Sequence, residues 1–82
     1  MSGYTPHAPS PAALLKARAT AEMFRMGWNY GKELGEVWTA RQVETAWPLL
    51  TREQVSVYIN GMEDGAKGDT WRLHQVETNA TS

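Results

Sequence analysis

Two glycine segments with the same spacing constrain the fold of this chain more than any other feature. The copies are Phe24-x-x-Gly27-Trp28-x-x-Gly31 and, 34 residues later, Tyr58-x-x-Gly61-Met62-x-x-Gly65. Glycine is about 1 kcal/mol less favourable than alanine inside a helix, so another interaction must offset four helical glycines. Close approach of two helices, or of a partner, along a face without side chains would supply that interaction. We therefore expect helix packing through Phe24, Gly27, Gly31, Tyr58, Gly61 and Gly65.

The length and composition of the chain allow one small domain. Of its 82 residues, the first few are rich in proline and the last few in threonine, asparagine and serine. We predict a flexible N-terminal arm over 1–9, a single helical domain over 10–76 and a flexible C-terminal tail over 77–82. Because the chain has no cysteine, aromatic packing or self-association must support a thin core.

The charge and hydropathy of the chain bear on its partners and its location. The formal net charge is −1, without the basic excess of a protein that binds phosphate backbones. No apolar run approaches the roughly 20 residues of a membrane span. The N-terminus also lacks the charged and apolar regions of a signal peptide. We therefore expect a cytoplasmic protein that does not enter a membrane.

The first predicted helix runs from 11 to 34. Ser10 followed by Pro11 is typical of an N-cap with proline at the first helical position. The residues that follow at steps of three and four are mostly small, which would let a neighbouring helix approach closely. They are Leu14, Ala17, Ala21, Phe24, Trp28, Gly31 and Gly35.

Two capping boxes predict the next two helix starts. Thr39 is followed three residues later by Gln42, and Thr51 by Gln54. In such a box the threonine hydroxyl accepts from the third amide, and the glutamine reaches back to the amide of the cap. We predict a short second helix over about 40–47, which stops before Pro48. A third helix begins near residue 52.

The third helix has a competing interpretation. Val55, Val57 and Ile59 alternate as in a strand, and Asn60-Gly61 is a strong hairpin turn. Helical spacing is favoured because the sequence after Gly61 makes a poor second strand. Residues 69–76 remain open between an extended segment and a last helical turn. The predicted fold is all-α: three helices, with the first and third forming a helical hairpin through their glycine faces.

The sequence predicts no catalytic residue, no cofactor site and no metal site. The two histidines lie far apart, and neither has a second ligand at helical spacing. The segment from Gly61 to Gly68 lacks the Gly-Lys-Ser/Thr order of a nucleotide-binding loop. We therefore expect a protein that is not an enzyme.

Residues 51–61 resemble the recognition helix of repressor-type helix-turn-helix proteins. The resemblance rests on the Val55-Ser56 pair and the closing Asn60-Gly61. It implies a DNA-binding regulator whose helix, starting near Arg52, presents Arg52, Glu53, Gln54 and Ser56 to base edges. Pro48 interrupts the segment where a supporting helix should still run, and a capped structural helix with valines in the core is the favoured alternative.

A second resemblance involves the first glycine segment. Gly27-Trp28-x-x-Gly31 is similar to the Gly-Tyr-x-x-Gly stretch of the ribosome modulation factor family. Members of that family are small helical proteins with a later Gly-Trp, so the likeness implies a small helical fold. They are also shorter and more basic, and Met62 stands where an aromatic residue would be expected.

These observations favour a small interaction protein. Its size suits the accessory or inhibitor proteins that phages and other mobile elements encode. We expect it to bind another protein, such as a host factor, or to form a homodimer, rather than to bind nucleic acid. Aromatic residues are common anchors of protein interfaces. The candidate partner-binding residues are Arg25, Trp28, Tyr30, Lys32, Trp38, Trp47 and Trp71.

Overall fold

The computed structural model describes residues 10–81, and this part of the chain is all-α without a strand. The predicted N-terminal arm, residues 1–9, lies outside the described residues. The helices are α1 (Pro11–Leu34), α2 (Ala40–Ala46), α3 (Arg52–Lys67) and α4 (Trp71–Thr81). The all-α prediction is confirmed, and residues 55–60 are helical, so the strand alternative is wrong.

The helix ends follow the local sequence signals. The Ala13 amide donates to the Ser10 hydroxyl at 3.2 Å, and proline occupies the first turn of α1. Both predicted capping boxes form. The Gln42 amide donates to the Thr39 hydroxyl (3.2 Å), and the Gln54 amide to that of Thr51 (3.1 Å). In each box the glutamine oxygen accepts the amide of the threonine, at 2.8 and 2.9 Å.

Helices α1 and α3 cross with their backbones in contact. A methyl group added at any of four glycines would overlap a backbone carbonyl oxygen of the other helix. In such a contact the glycine α-hydrogen points toward the oxygen, as in the weak Cα–H···O bonds of close helix pairs. The contacts are reciprocal between the two sequence copies. They join Gly27 to Tyr58, Gly31 to Met62, Gly61 to Phe24 and Gly65 to Trp28.

The two crossing helices run in the same direction, so the predicted hairpin of the first and third helices is wrong. Lys16 pairs with Glu53 near the start of both helices, and Gly31 meets Met62 near their ends. Residue numbers therefore rise together along the contact. Helix α2 and its flanking turns return the chain to the start of α3, which makes the parallel crossing possible.

A small apolar core lies where α2 packs on α3. Val43 of α2 and Val55, Tyr58 and Met62 of α3 are at most 4% exposed. The half-buried hydrophobic residues packed around them are Met23, Met26, Trp38, Leu50 and Ile59. Because Met23 and Met26 belong to α1, this core joins α1, α2 and α3 beside the glycine crossing. The Cα atoms extend only 13 Å along the shortest axis of the molecule, so this core is thin.

A fourth helix replaces the expected C-terminal tail. Helix α4 continues through Thr81, so the domain does not end at residue 76 as predicted. It runs antiparallel to α1, because Asp69 accepts from Trp28 while the end of α4 lines a groove with residues 13–20. None of its residues is buried. Its apolar residues Leu73, Val76 and Ala80 are half-buried, and polar contacts add to their attachment.

The strongest of these contacts is a two-pronged ion pair between α3 and α4. Arg72 donates from Nε and Nη2 to the two carboxylate oxygens of Asp64, at 2.8 and 2.7 Å. The same guanidinium lies 5.8 Å above the Phe24 ring. Arg25 and Glu77 form a second, more exposed pair at 3.3 Å. Asp69 starts the helix, since its carboxylate accepts the Trp71 amide at 2.9 Å.

Candidate protein interface

Exposed apolar side chains gather where the end of α1 meets α2. The Tyr30 and Trp38 rings are in tilted contact, with centroids 5.5 Å apart. Tyr30 and Trp47 are 39% and 38% exposed. Leu34, one helical turn beyond Tyr30, and Val37, next to Trp38, are 43% and 42% exposed. We call Tyr30, Leu34, Val37, Trp38 and Trp47 the aromatic surface.

The ends of α1 and α2 determine where the side chains of this surface lie. Gly35 ends α1 with a positive φ of 69°, which turns the chain so that Trp38 folds back onto Tyr30. Trp38 precedes the Thr39 cap, the usual place of a hydrophobic staple residue. Trp47 is the C-cap of α2, and its amide donates to the Val43 carbonyl at 2.8 Å. The surface is therefore built on ordered helix ends.

Tyr58 lies buried beneath the aromatic surface. Its side chain is fully buried, and its hydroxyl has no hydrogen-bond partner among residues 10–81. Burial raises the pKa of this hydroxyl above its ordinary value. The Trp47 indole lowers the pKa by a smaller amount without completing a hydrogen bond, and Tyr30 raises it slightly. The hydroxyl thus stays neutral, and it is an unpaired polar group under the surface.

This arrangement predicts that Tyr58→Phe stabilises the protein. An unpaired buried polar group costs about 1–3 kcal/mol, and phenylalanine removes it without changing the ring. We expect the free energy of unfolding, measured by urea denaturation, to rise by about 1 kcal/mol. A loss of stability would show instead that the hydroxyl has a partner.

Three glutamates surround the aromatic surface and carry no ion pair within the described part of the chain. Glu33 is adjacent to Leu34, Glu36 is adjacent to Val37, and Glu44 is three residues before Trp47. The nearest lysine, Lys32, points to another face, where its ammonium lies 5.2 Å above the Trp28 ring. The rim of the surface therefore carries three acidic groups beside the basic Arg41, which lines a groove with Trp38.

The structure separates the predicted partner-binding residues into two groups. Tyr30, Trp38 and Trp47 come together, as described above. Trp28 was expected at an interface but lies buried on the glycine face of α1, where its indole N–H donates to the Asp69 carbonyl at 2.7 Å. Lys32 lies over that same indole.

Arg25 and Trp71 lie away from the aromatic surface. Arg25 pairs with Glu77 of α4, and Trp71 opens α4 with 65% of its surface exposed. Helix α4 packs on the face of α1 that carries Phe24 and Trp28. Leu34 and Val37 were not among the predicted residues. The i to i+4 spacing from Tyr30 to Leu34 was the available signal.

The residues expected to read DNA are partly engaged. The Gln54 side chain accepts the Thr51 amide and is not free to contact a base. Glu53 is exposed at the start of α3 and pairs with Lys16 at 3.5 Å. Arg52 and Ser56 are exposed. The start of α3 therefore presents opposite charges rather than a basic face.

Comparisons with protein-family models, with curated proteins and with solved structures find no match to this chain. No helix among residues 10–81 is both long and apolar enough to cross a membrane. In the same part of the chain, no three histidine or carboxylate side chains are grouped so that they could hold a metal ion.

Proposed function

We propose that this protein is a non-enzymatic interaction protein that binds a protein partner through the aromatic surface. The observation that carries the proposal is the convergence of Tyr30, Trp38 and Trp47 on one exposed site, flanked by Leu34 and Val37. Tyrosine and tryptophan supply large, rigid contact areas and are enriched in the residues that dominate binding energy. Clustered exposed apolar groups of this kind mark interaction sites.

The thin core gives a physical reason for the exposed aromatic residues. Helices α1 and α3 meet through glycine, so their contact buries backbone and leaves the larger side chains of α1 to other faces. The Cα thickness of 13 Å provides no second layer to cover Tyr30 or Trp47. A bound protein would complete the layer that small domains normally build for themselves.

The proposed class is a small accessory or inhibitor protein of the kind that phages and other mobile elements encode. The absence of cysteine supports a cytoplasmic site of action, because small secreted domains are commonly rich in disulfides. An acidic rim and the engaged Gln54 favour a protein partner over DNA.

Affinity capture from cell lysate tests this proposal. We expect Trp47→Ser to remove the proteins retained by the wild type, because it deletes one of the three aromatic anchors of the surface. Trp71→Ser is the matched control, since Trp71 is more exposed but lies on α4. Identical capture by wild type and Trp47→Ser, with both folded by circular dichroism, would contradict the proposal. So would binding of duplex DNA at low salt that Arg52→Ala abolishes.

A further inference from the structure

The charges beside the aromatic surface indicate the chemistry of its partner. Glu33 follows Tyr30 by three residues on α1, so their side chains are neighbours on the helix surface. Glu44 precedes Trp47 by the same interval at the end of α2, and Glu36 lies in the turn between the two helices. All three glutamates are exposed. A protein that covers the aromatic rings must therefore come close to their carboxylates.

The basic residues nearby do not neutralise these carboxylates. None of the three glutamates has an ion pair within residues 10–81. Arg41 lines a groove with Trp38, but this groove does not include Tyr30 or Trp47. Lys32 lies over the Trp28 ring on another face of α1. Three carboxylates against one guanidinium leave the rim negative, which favours a partner with positive charge.

The rings of the aromatic surface also lack the cations that lie over other rings of this fold. The Lys32 ammonium lies 5.2 Å from the centre of the Trp28 ring, and the Arg72 guanidinium lies 5.8 Å from that of Phe24. Among residues 10–81, no lysine or arginine lies over the three rings of the aromatic surface. Cations are attracted to the faces of tryptophan and tyrosine. A positive side chain of a partner would therefore be attracted both by these rings and by the carboxylates beside them.

We infer that the partner of the aromatic surface is a basic protein segment, in which arginine or lysine side chains flank apolar residues. The inference rests on the proposed function and names the chemistry of its partner. The apolar residues of the segment pack on the rings and on Leu34 and Val37. Arginine suits the rim best, because its planar guanidinium stacks on an aromatic ring and donates to a carboxylate at the same time.

Three synthetic peptides test the charge of the partner. They share their length and apolar residues, and their polar positions hold arginine in the first, glutamine in the second and glutamate in the third. Isothermal titration calorimetry with the full chain measures each dissociation constant. At low salt we expect the arginine peptide to bind about tenfold more tightly than the glutamine peptide, and the glutamate peptide to bind most weakly. This advantage should shrink at high salt, which screens exposed charges.

Substitution of two rim glutamates tests whether the preference arises at this surface. Glu33→Gln combined with Glu44→Gln should weaken the arginine peptide about tenfold and leave the glutamine peptide unchanged. Glu53→Gln combined with Glu63→Gln is the matched control. It removes the same charge from exposed glutamates that pair with Lys16 and Arg72, away from the surface. We expect this control to leave both dissociation constants unchanged.

The outcomes separate the charge of the partner from the proposed function. The inference is overturned if the arginine peptide does not bind at its highest soluble concentration, or binds no more tightly than the glutamine peptide. Equal weakening by the rim and control variants would overturn it too. If both peptides bind equally and Trp47→Ser abolishes both, only the basic partner is excluded and the proposed function stands. Peptides that bind Trp47→Ser as tightly as the wild type would contradict the proposed function itself.

Discussion

Gly27→Ala and Gly65→Ala should each destabilise the protein by about 3 kcal/mol, at the upper end of the cost of overpacking. In an open helix the same change would gain about 1 kcal/mol. Here the added methyl group meets the carbonyl oxygen of Tyr58 or of Trp28, and a backbone cannot move aside as a flexible side chain can. Urea unfolding followed by circular dichroism measures the loss.

Gly68→Ala is the control for this experiment. Nothing lies within 4 Å of a methyl group at Gly68, but its φ of 75° is strained for alanine. We expect a cost of about 1 kcal/mol from that conformation alone. A gain in stability from Gly27→Ala or Gly65→Ala would contradict the backbone contact between α1 and α3.

The second large effect is expected at the ion pair that holds α4. Asp64→Asn should destabilise the protein by about 2 kcal/mol, because it leaves the Arg72 guanidinium without its charged partner. A fully buried pair would cost more, but the Arg72 side chain is 43% exposed and water compensates in part. Thermal or urea unfolding at neutral pH measures this loss.

The same pair predicts a dependence of stability on pH. The hydrogen bonds from Arg72 hold the pKa of the Asp64 carboxyl below its ordinary value of 3.8. A carboxyl whose pKa is lowered by folding stabilises the fold above its unfolded-state pKa, and this contribution is lost as the pH falls through the folded-state pKa. The stability difference between wild type and Asp64→Asn should therefore be largest near neutral pH and shrink below about pH 4.

Glu63→Gln is the matched control for the ion pair. Glu63 lies 4.0 Å from Arg72 and both side chains are nearly half exposed, so its removal should cost less than about 0.5 kcal/mol. Equal effects of Asp64→Asn and Glu63→Gln would mean that the two-pronged contact with Asp64 contributes no more than the surface pair.

Local signals in the sequence predicted most of the helices. Ser10 with Pro11 located the start of α1, and the boxes at Thr39 and Thr51 located the starts of α2 and α3. Each signal acts within one helical turn, so the helix starts could be recognised without knowing the tertiary structure. The sequence left residues 69–76 open and did not predict a helix through Thr81, because the apolar face of α4, Leu73, Val76 and Ala80, is short and only half-buried. Pairs with other helices, such as Asp64 with Arg72, help to hold it.

The direction of the α1 and α3 crossing could not be predicted from the glycines. Two glycines four residues apart present the same bare face whichever way the second helix runs. The parallel order depends on how the chain between Gly35 and Thr51 folds, and α2 determines that path through its packing on α3. The expectation of a hairpin did not take this tertiary contact between α2 and α3 into account.

The sequence predicted which residue types would form the candidate site better than it predicted which of them would come together. Tyr30, Trp38 and Trp47 were expected as surface anchors, but their convergence depends on the turn at Gly35. Trp28 has the same chemistry and is buried, because it lies on the glycine face, where Asp69 in the turn before α4 supplies a carbonyl acceptor. For the aromatic residues of α1, exposure therefore depends on the face of the helix that each occupies.

The central claim is that α1 uses two faces, one to cross α3 through glycine and the other to bind a protein. Amide chemical shifts of isotope-labelled protein, recorded as a partner recovered by affinity capture is titrated in, test it most directly. We predict that the shifts of the aromatic surface move while those of α4 and of the four helical glycines stay fixed. Shifts that do not change, or changes confined to α4, would contradict the claim.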